Sequence, residues 1–345
     1  MTIAISGTNG ITLDGQFNSA SSMGFKNRII NGAMVIDQRA TTITSAISGA
    51  YTVDRWNTYF DQSYSIAQIA DAPSGYTYSL KVTKTNTTQS TYAFLVQYIE
   101  GLNAVDLAFG TATASTVTLS FWVKSSITGN FAASLTNSAE NRSYAALYNI
   151  ASANTWEQKT ITIAGDTSGT WLKTNGKGIS VQFNFGASAG ANAPNAWFAL
   201  NNLAPTGSVN LGTTNNSTFQ ITGVQLEKGS TATSFDYRPY GTELQLCQRY
   251  AYQYVSPAAK GVGDGTNMTR AGFNHPVQMR AAPTATLIGT IPTYDGSAVR
   301  NISSILNSYM TSTVFEVDFA TGGSTIGRAM TIYQGTGSIL VSAEL

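Results

Sequence analysis

Short runs of alternating apolar and polar residues recur along most of this chain, and they constrain its fold more than any other feature. In the run Val117–Val123 every second residue is Val, Leu or Phe, which places these side chains on one face of an extended strand. Similar runs occur at 76–82, 179–185 and 219–226. β-Branched and aromatic residues fill the runs, and Gly, Asn, Ser and Pro separate them. The pattern predicts an all-β chain, for which a jelly-roll β-sandwich is the natural arrangement at this length.

Length predicts more than one folded unit, because the chain has 345 residues and single cores rarely grow past about 250 to 300. Residues 1–26 have no sustained period and predict an extended N-terminal arm that is ordered by a partner chain. The jelly roll is predicted at 27–240 and a smaller C-terminal β-sandwich at 241–345. Further predicted elements are strands at 314–319 and 338–342 and short helices at 104–109 and 243–250.

Composition argues against several classes of partner. The 19 Lys and Arg residues nearly balance the 18 Asp and Glu residues, so the chain lacks the basic footprint of a nucleic-acid-binding protein. No apolar run reaches the length of about 18 residues that membrane insertion requires. The first residues do not resemble a secretion signal, as expected of a protein released by host lysis and equally of a cytoplasmic one. The lone Cys247 excludes an internal disulfide, and we expect it to be buried.

Residues suited to catalysis or metal binding are scarce. His275 is the single histidine, so zinc sites with two histidines are excluded, and no metal or cofactor is predicted. A serine triad would have to use His275, which precedes Pro276 and has no Gly-x-Ser-x-Gly partner. Glu316 and Asp318 form the closest acidic pair on one strand face, and glycoside cleavage needs only two carboxylates about 5 to 9 Å apart. We predict a solvated face and no enzyme, with a polysaccharide depolymerase as the alternative from another class.

Binding of a sugar is the chemistry that remains. Sugar C–H faces stack on aromatic rings, and their hydroxyl groups pair with amides and carboxylates, so a shallow site needs an exposed ring beside polar side chains. Weak contacts of this kind gain strength from several linked copies. The predicted ligand-binding residues are Trp122 in the jelly roll and Tyr252, Tyr254, Phe273, Tyr294 and Tyr309 in the C-terminal module.

Three segments resemble a group of phage tail and tail-fibre proteins that carry a carbohydrate-binding-module-like jelly roll. The segment 28–39, RIINGAMVIDQR, followed by YTVDRW at 51–56, is similar to the opening of that group. The strand LSFWVKS at 119–125 is similar to its central strand. The most specific segment is VQLEKGSTATSFDYRP at 224–239, which leads to ELQLCQRY at 243–250.

The resemblance implies a virion protein that assembles as a homotrimer and adheres to its host. We therefore expect a tail fibre or receptor-binding appendage that contacts host-surface glycan and joins other tail or baseplate proteins through the arm. It would reside in the virion tail and become extracellular after host lysis. The alternative within the same particle is a baseplate or head-decoration protein without glycan binding.

Five residues of the matched segments are predicted to have structural roles: Asp54, Arg55, Trp56, Glu227 and Arg238. On a strand, Asp54 and Trp56 would share one face while Arg55 takes the other. An ion pair from Arg55 to Glu227 or Asp236 would then join the sheet ends, and a ligand role for Arg55 is the alternative. A second alternative is that Glu227 and backbone carbonyl groups together coordinate Ca²⁺.

Overall fold

The computed structural model describes residues 3–6, 10–13, 25–39, 42–46, 48–186, 192–255, 259–333 and 337–345. Strands dominate these residues, so the all-β prediction is confirmed. The helical elements among them are α1 (Tyr240–Gln248) and the 3₁₀ turns Gly101–Asn103, Val105–Leu107 and Leu211–Thr213. No helix in the described ranges is long and apolar enough to cross a membrane.

Two antiparallel six-stranded sheets form the jelly-roll β-sandwich. The strands up to residue 228 are β1 (Ile3–Ser6), β2 (Gly10–Leu13), β3 (Thr42–Ala46), β4 (Asn57–Phe60), β5 (Tyr64–Ile69), β6 (Ser79–Lys84), β7 (Ala93–Glu100), β8 (Val117–Ser125), β9 (Gly129–Thr136), β10 (Ser143–Ile150), β11 (Glu157–Ile163), β12 (Lys177–Asn184), β13 (Trp197–Phe198) and β14 (Thr218–Lys228). One sheet has the order β13-β10-β9-β12-β7-β4, and the other has the order β11-β8-β14-β6-β5-β3. Strands β1 and β2 pair only with each other in the described residues, and positions 1–2, 7–9 and 14–24 of the predicted arm lie outside them.

The core of the sandwich follows from the alternation. Phe121 of β8 and Phe183 of β12 come from opposite sheets, and their ring centroids lie 4.9 Å apart. Both side chains are fully buried, and burying a Phe side chain contributes about 1.5 to 3 kcal/mol. The alternating apolar residues of each sheet therefore hold the two sheets together.

The last hundred residues form a smaller pair of sheets around a second core. Their strands are β15 (Ala251–Val255), β16 (Ala259–Gly265), β17 (Met268–Asn274), β18 (Thr284–Ile288), β19 (Ile291–Tyr294), β20 (Val299–Ile302), β21 (Ser304–Met310), β22 (Val314–Ala320), β23 (Ala329–Ile332) and β24 (Ser338–Ser342). A three-stranded sheet has the order β15-β24-β18, and a seven-stranded sheet has the order β20-β19-β23-β16-β17-β22-β21. Phe315, Phe319 and Val341 belong to the buried cluster between them. As a division into independently folding units, the predicted boundary at 240/241 stays a prediction.

Buried charges join the two parts of the chain. The carboxylate of Glu344 pairs with Arg39, at 2.7 Å, and with Arg55. The Arg55 guanidinium lies 3.4 Å from the centre of the Tyr250 ring, and Arg249 pairs with Glu100 of β7 at 3.0 Å. These contacts tie the sandwich to the last residues of the chain.

Three local predictions need correction. Residues 54 and 55 form a turn and not a strand, because Arg55 has a left-handed backbone with φ of 73°. Arg55 therefore reaches Glu344, and the predicted ion pair with Glu227 or Asp236 is wrong. The predicted helix at 104–109 is limited to the 3₁₀ turn Val105–Leu107, because the following Ala108 is left-handed, with φ of 54°.

Candidate functional site

The outer face of the seven-stranded sheet carries the candidate site. Strand β22 lies between β17 and β21, and the pairing places Gly272, Glu316 and Tyr309 in one row across the three strands. Because side chains alternate between faces, the neighbouring Phe273 and Phe315 point towards the core. The three strands thus place a polar row directly above an aromatic layer.

A groove of about 560 Å³ lies along this row. Gly272 opens its floor, since a Cβ atom at this position would meet no atom within 4 Å. The Tyr309 ring, which is 56% exposed, and the carboxylate of Glu316 stand beside the floor, with exposed Asn274 at one end. Its lining is Gly272, Phe273, Asn274, Tyr309, Thr311, Val314, Phe315 and Glu316.

Packed aromatic side chains support the groove from below. The rings of Phe273 and Phe315 stack with centroids 4.9 Å apart and planes 13° apart. The hydroxyl group of Tyr254 donates a hydrogen bond to the backbone carbonyl of Asn274. These contacts fix the ends of β17 and β22, where the groove lies.

The buried imidazole of His275 holds the turn between β21 and β22. Its Nε2 lies 3.0 Å from the carbonyl oxygen of Thr311, and its Nδ1 lies 2.6 Å from the hydroxyl oxygen of Tyr252. A carbonyl oxygen only accepts, so Nε2 carries the proton and Nδ1 accepts from Tyr252. Burial lowers the pKa of His275 below its ordinary value, which favours this neutral form.

Charged side chains flank the groove around Arg270. Its Nε lies 2.7 Å from Oδ1 of Asp318 and 3.3 Å from Oε1 of Glu316, and its Nη2 lies 2.9 Å from Oδ2 of Asp264. The hydrogen bond from Arg270 lowers the pKa of Asp318 below its ordinary value. The guanidinium also lies 5.7 Å from the centre of the Tyr309 ring. One arginine thus contacts both carboxylates of the acidic pair, and Asp318 is buried, so the predicted solvated face holds for Glu316 only.

The predicted ligand-binding residues divide between the groove and other places. Phe273 and Tyr309 line the groove, Tyr254 supports it, and Tyr252 is buried beneath it. Tyr294 lies on β19 with its ring 6.1 Å from that of Tyr333. Trp122 is half-buried on β8 of the sandwich.

Four of the predicted structural residues are buried, and the side chain of the fifth, Arg238, is 4% exposed. Asp54 accepts a hydrogen bond from the backbone N–H of Gln38, and Trp56 donates its indole N–H to the carbonyl of Asn31. Arg238 pairs with Glu243 at 3.2 Å.

Glu227 accepts three hydrogen bonds, one from the side chain of Gln225 and two from Thr233. A calcium site presents oxygen ligands to the ion, whereas the groups around the Glu227 carboxylate are hydrogen-bond donors. The described residues contain no cluster of three or more His, Cys, Asp or Glu side chains that could hold a metal ion.

Sequence analysis did not single out Gly272, Asn274, Arg270 or Asp264. The signal was present in β17, where Met268, Arg270, Gly272 and Asn274 occupy alternate positions and therefore share a face. A glycine at such a position marks a gap in the outer face, although which side chains border the gap depends on β21 and β22.

No protein-family model matches the chain, and no curated protein matches it. Similar solved structures include the enzymatically active domain of tailspike protein 4 of bacteriophage CBA120, at 14% identity over 59% of this chain and 21% of that chain, with a TM-score of 0.34. An arabinose-bound α-L-arabinofuranosidase is similar at 12% identity over 59% of this chain and 26% of that chain, with a TM-score of 0.36.

A family 11 carbohydrate-binding module from Clostridium thermocellum is similar at 12% identity over 58% of this chain and 99% of that module, with a TM-score of 0.28. These similarities are too low to bear on activity. The chain is an all-β protein with a jelly-roll β-sandwich, as its own strand order shows.

Proposed function

We propose that this chain is the subunit of a viral tail appendage that adheres to host-surface glycan through the groove of β17, β21 and β22. The observation that carries the glycan part is the exposed Tyr309 ring beside the open floor at Gly272, with Asn274 and Glu316 within the same groove. The viral part is supported by the resemblance of segments 28–39, 51–56 and 224–239 to tail proteins. Residence in the virion and assembly as a homotrimer belong to the same proposal.

The groove has the parts that a sugar ring requires. An aromatic face stacks on C–H groups, while the amide of Asn274 and the carboxylate of Glu316 are partners for hydroxyl groups. The site is shallow, so one copy would bind at about millimolar affinity, near −4 kcal/mol. Three linked copies would gain about 10² or more in avidity without any new contact.

The electrostatics favour adhesion over glycoside cleavage, and we propose that the chain is not an enzyme. A cleaving pair needs one carboxylic acid whose pKa is raised so that it can donate a proton. Here Arg270 contacts both Glu316 and Asp318, and it lowers the pKa of Asp318. An ionised, arginine-bound Asp318 is a poor proton donor.

The sharpest test fills the floor of the groove without disturbing the core. Gly272→Val adds a side chain that points outward and whose Cβ meets no neighbour within 4 Å, and a β-branched residue suits a strand. Ala329→Val is the matched control, because Ala329 is exposed on β23, outside the groove lining, in the same sheet.

On an array of host-surface glycans, the wild-type chain and Ala329→Val should bind alike, and Gly272→Val should lose at least tenfold in affinity while unfolding at the same or higher denaturant concentration. Equal binding by all three chains would remove the groove from the proposal. No glycan binding by any of them would favour a baseplate or head-decoration protein, which labelled imaging of intact virions would then locate.

The non-enzyme part has its own test. Incubation with host envelope should release no sugar. If the wild-type chain releases sugar and the double variant Glu316→Gln with Asp318→Asn does not, the non-enzyme proposal is overturned and a depolymerase is favoured.

A further inference from the structure

His275 links the groove to the core beneath it. The imidazole contacts three elements: Tyr252 of β15 through Nδ1, the Thr311 carbonyl of the β21–β22 turn through Nε2, and the ring of Phe315 of β22, whose centroid is 5.1 Å away. Its own backbone N–H donates to the carbonyl of Thr313, at 3.3 Å. Thr311 and Phe315 line the groove, so this one side chain holds groove-lining residues from two neighbouring segments.

The surroundings of the imidazole fit its neutral form. The titratable group that β15 presents to it is the Tyr252 phenol, with the ring of Tyr254 beside that phenol. Burial raises the pKa of both tyrosines, so they are neutral near pH 7. Strand β22 presents the Phe315 ring, and the turn presents carbonyl groups. In the part of the chain that the structure describes, no carboxylate faces the imidazole to stabilise a positive charge.

Protonation would therefore break the arrangement at Nδ1. With a proton on Nδ1, that atom becomes a donor facing the Tyr252 hydroxyl group, which must turn its own proton away into an apolar layer. A buried charge without a partner is costly. Release of the 311–313 turn to water would remove that cost and would displace the groove wall.

We propose that His275 is a positioning residue that makes the groove depend on pH, holding the 311–313 turn in place when neutral and releasing it when charged. This inference rests on the proposed function and adds a regulation of the same site. The released state gains its proton near the ordinary histidine pKa of about 6.5, before the held state does. Binding is therefore constant above that pH and falls as the pH drops below it. Each unit by which the held imidazole's pKa is lowered shifts the equilibrium about tenfold towards the released turn at low pH.

One experiment reads the imidazole itself and does not depend on any ligand. Because His275 is the single histidine of the chain, ¹³C- and ¹⁵N-labelled histidine gives one set of ring signals from the full-length protein. We expect an Nε2–H tautomer at pH 7.5 and a midpoint of titration below 6.5. An Nδ1–H tautomer, or a midpoint at or above 6.5, would overturn the inference while leaving the proposed function intact.

A second measurement follows glycan affinity from pH 7.5 to pH 5 in the wild-type chain and in His275→Gln. Gln offers an N–H to the Thr311 carbonyl and does not titrate in this range, so the affinity of His275→Gln should change little with pH. The wild-type affinity should be lost progressively as the pH drops below about 6.5. Parallel pH profiles of the two chains would contradict the inference. Absence of binding by either chain at every pH would instead contradict the proposed function, and the ring signals would still decide the role of His275.

Discussion

Replacing Glu344 by Gln removes the negative charge that joins the two parts of the chain. One carboxylate oxygen accepts from Arg39 and the other accepts from Arg55. The side chains of Arg39, Arg55 and Glu344 are 9%, 1% and 8% exposed. A Gln side chain has one oxygen and one NH₂ group, so it satisfies one guanidinium and presents a donor to the other.

The expected cost is about 3 kcal/mol, at the lower end of the range of about 3 to 5 kcal/mol for breaking a buried ion pair by removing one partner. The lower end applies because Arg55 keeps a hydrogen bond to the carbonyl of Tyr98 and its contact with the Tyr250 ring. Glu140→Gln is the matched control, since Glu140 pairs with Lys177 while its own side chain is 47% exposed. Exposed pairs contribute about 0 to 1 kcal/mol.

Urea unfolding measures both changes. All five tryptophans lie between residues 56 and 197, so their fluorescence reports on the sandwich, while far-ultraviolet circular dichroism reports on all strands. Glu344→Gln should shift the fluorescence transition although residue 344 lies outside the sandwich, because Arg39 and Arg55 belong to it. If Glu344→Gln costs no more than Glu140→Gln, or leaves the tryptophan transition unchanged, the buried charges do not join the two parts as argued.

Two further changes test other features. Burial raises the pKa of Asp54 to about 6, above an unfolded value of about 3.9, so the folded chain binds a proton that the unfolded chain has lost, and the free energy of unfolding should fall by about 3 kcal/mol as pH rises from about 4 to 6. Urea unfolding of Asp54→Asn should lack this part of the pH dependence, and an identical slope in both chains would contradict the burial argument. Tyr309→Ala should weaken glycan binding by about 1 to 2 kcal/mol with little change in stability, because the ring is 56% exposed. Tyr333 follows β23 and lies beside Tyr294, away from the groove, so Tyr333→Ala should bind as the wild type does. The reverse result would move the site towards Tyr294.

The strands were predictable because alternation is a local signal tied to burial. Val117–Ser125 and Ser338–Ser342 appear as strands where the apolar positions alternate or cluster. The turn at Asp54 and Arg55 was not predictable, because a left-handed backbone at an arginine is intrinsically unfavourable. Contacts with residues almost 300 positions later, at Glu344, hold it in place.

The site was predictable in its residue types but not in its assembly. Tyr309 presents its predicted ring to the groove, whereas Phe273 borders the groove with its ring directed towards the core. The predicted rings of Trp122 and Tyr294 lie elsewhere. The pairing that brings Tyr309 beside Glu316 depends on a register shift in β21 between Ile305 and Asn307. A shift of that kind changes which residues share a row and leaves no clear mark in the sequence.

The two faces of the seven-stranded sheet carry different constraints, and this explains how the groove can change while the fold persists. On β22, Phe315, Val317 and Phe319 face the core, and replacing either Phe by Ala would cost about 3 to 5 kcal/mol. Glu316 lies between two of these residues but faces solvent, where most substitutions change stability by less than about 0.5 kcal/mol. Substitutions at the rim of the groove can thus change its surface with little effect on folding. His275 is the exception, because it is buried and its imidazole contacts Thr311 and Phe315, which line the groove.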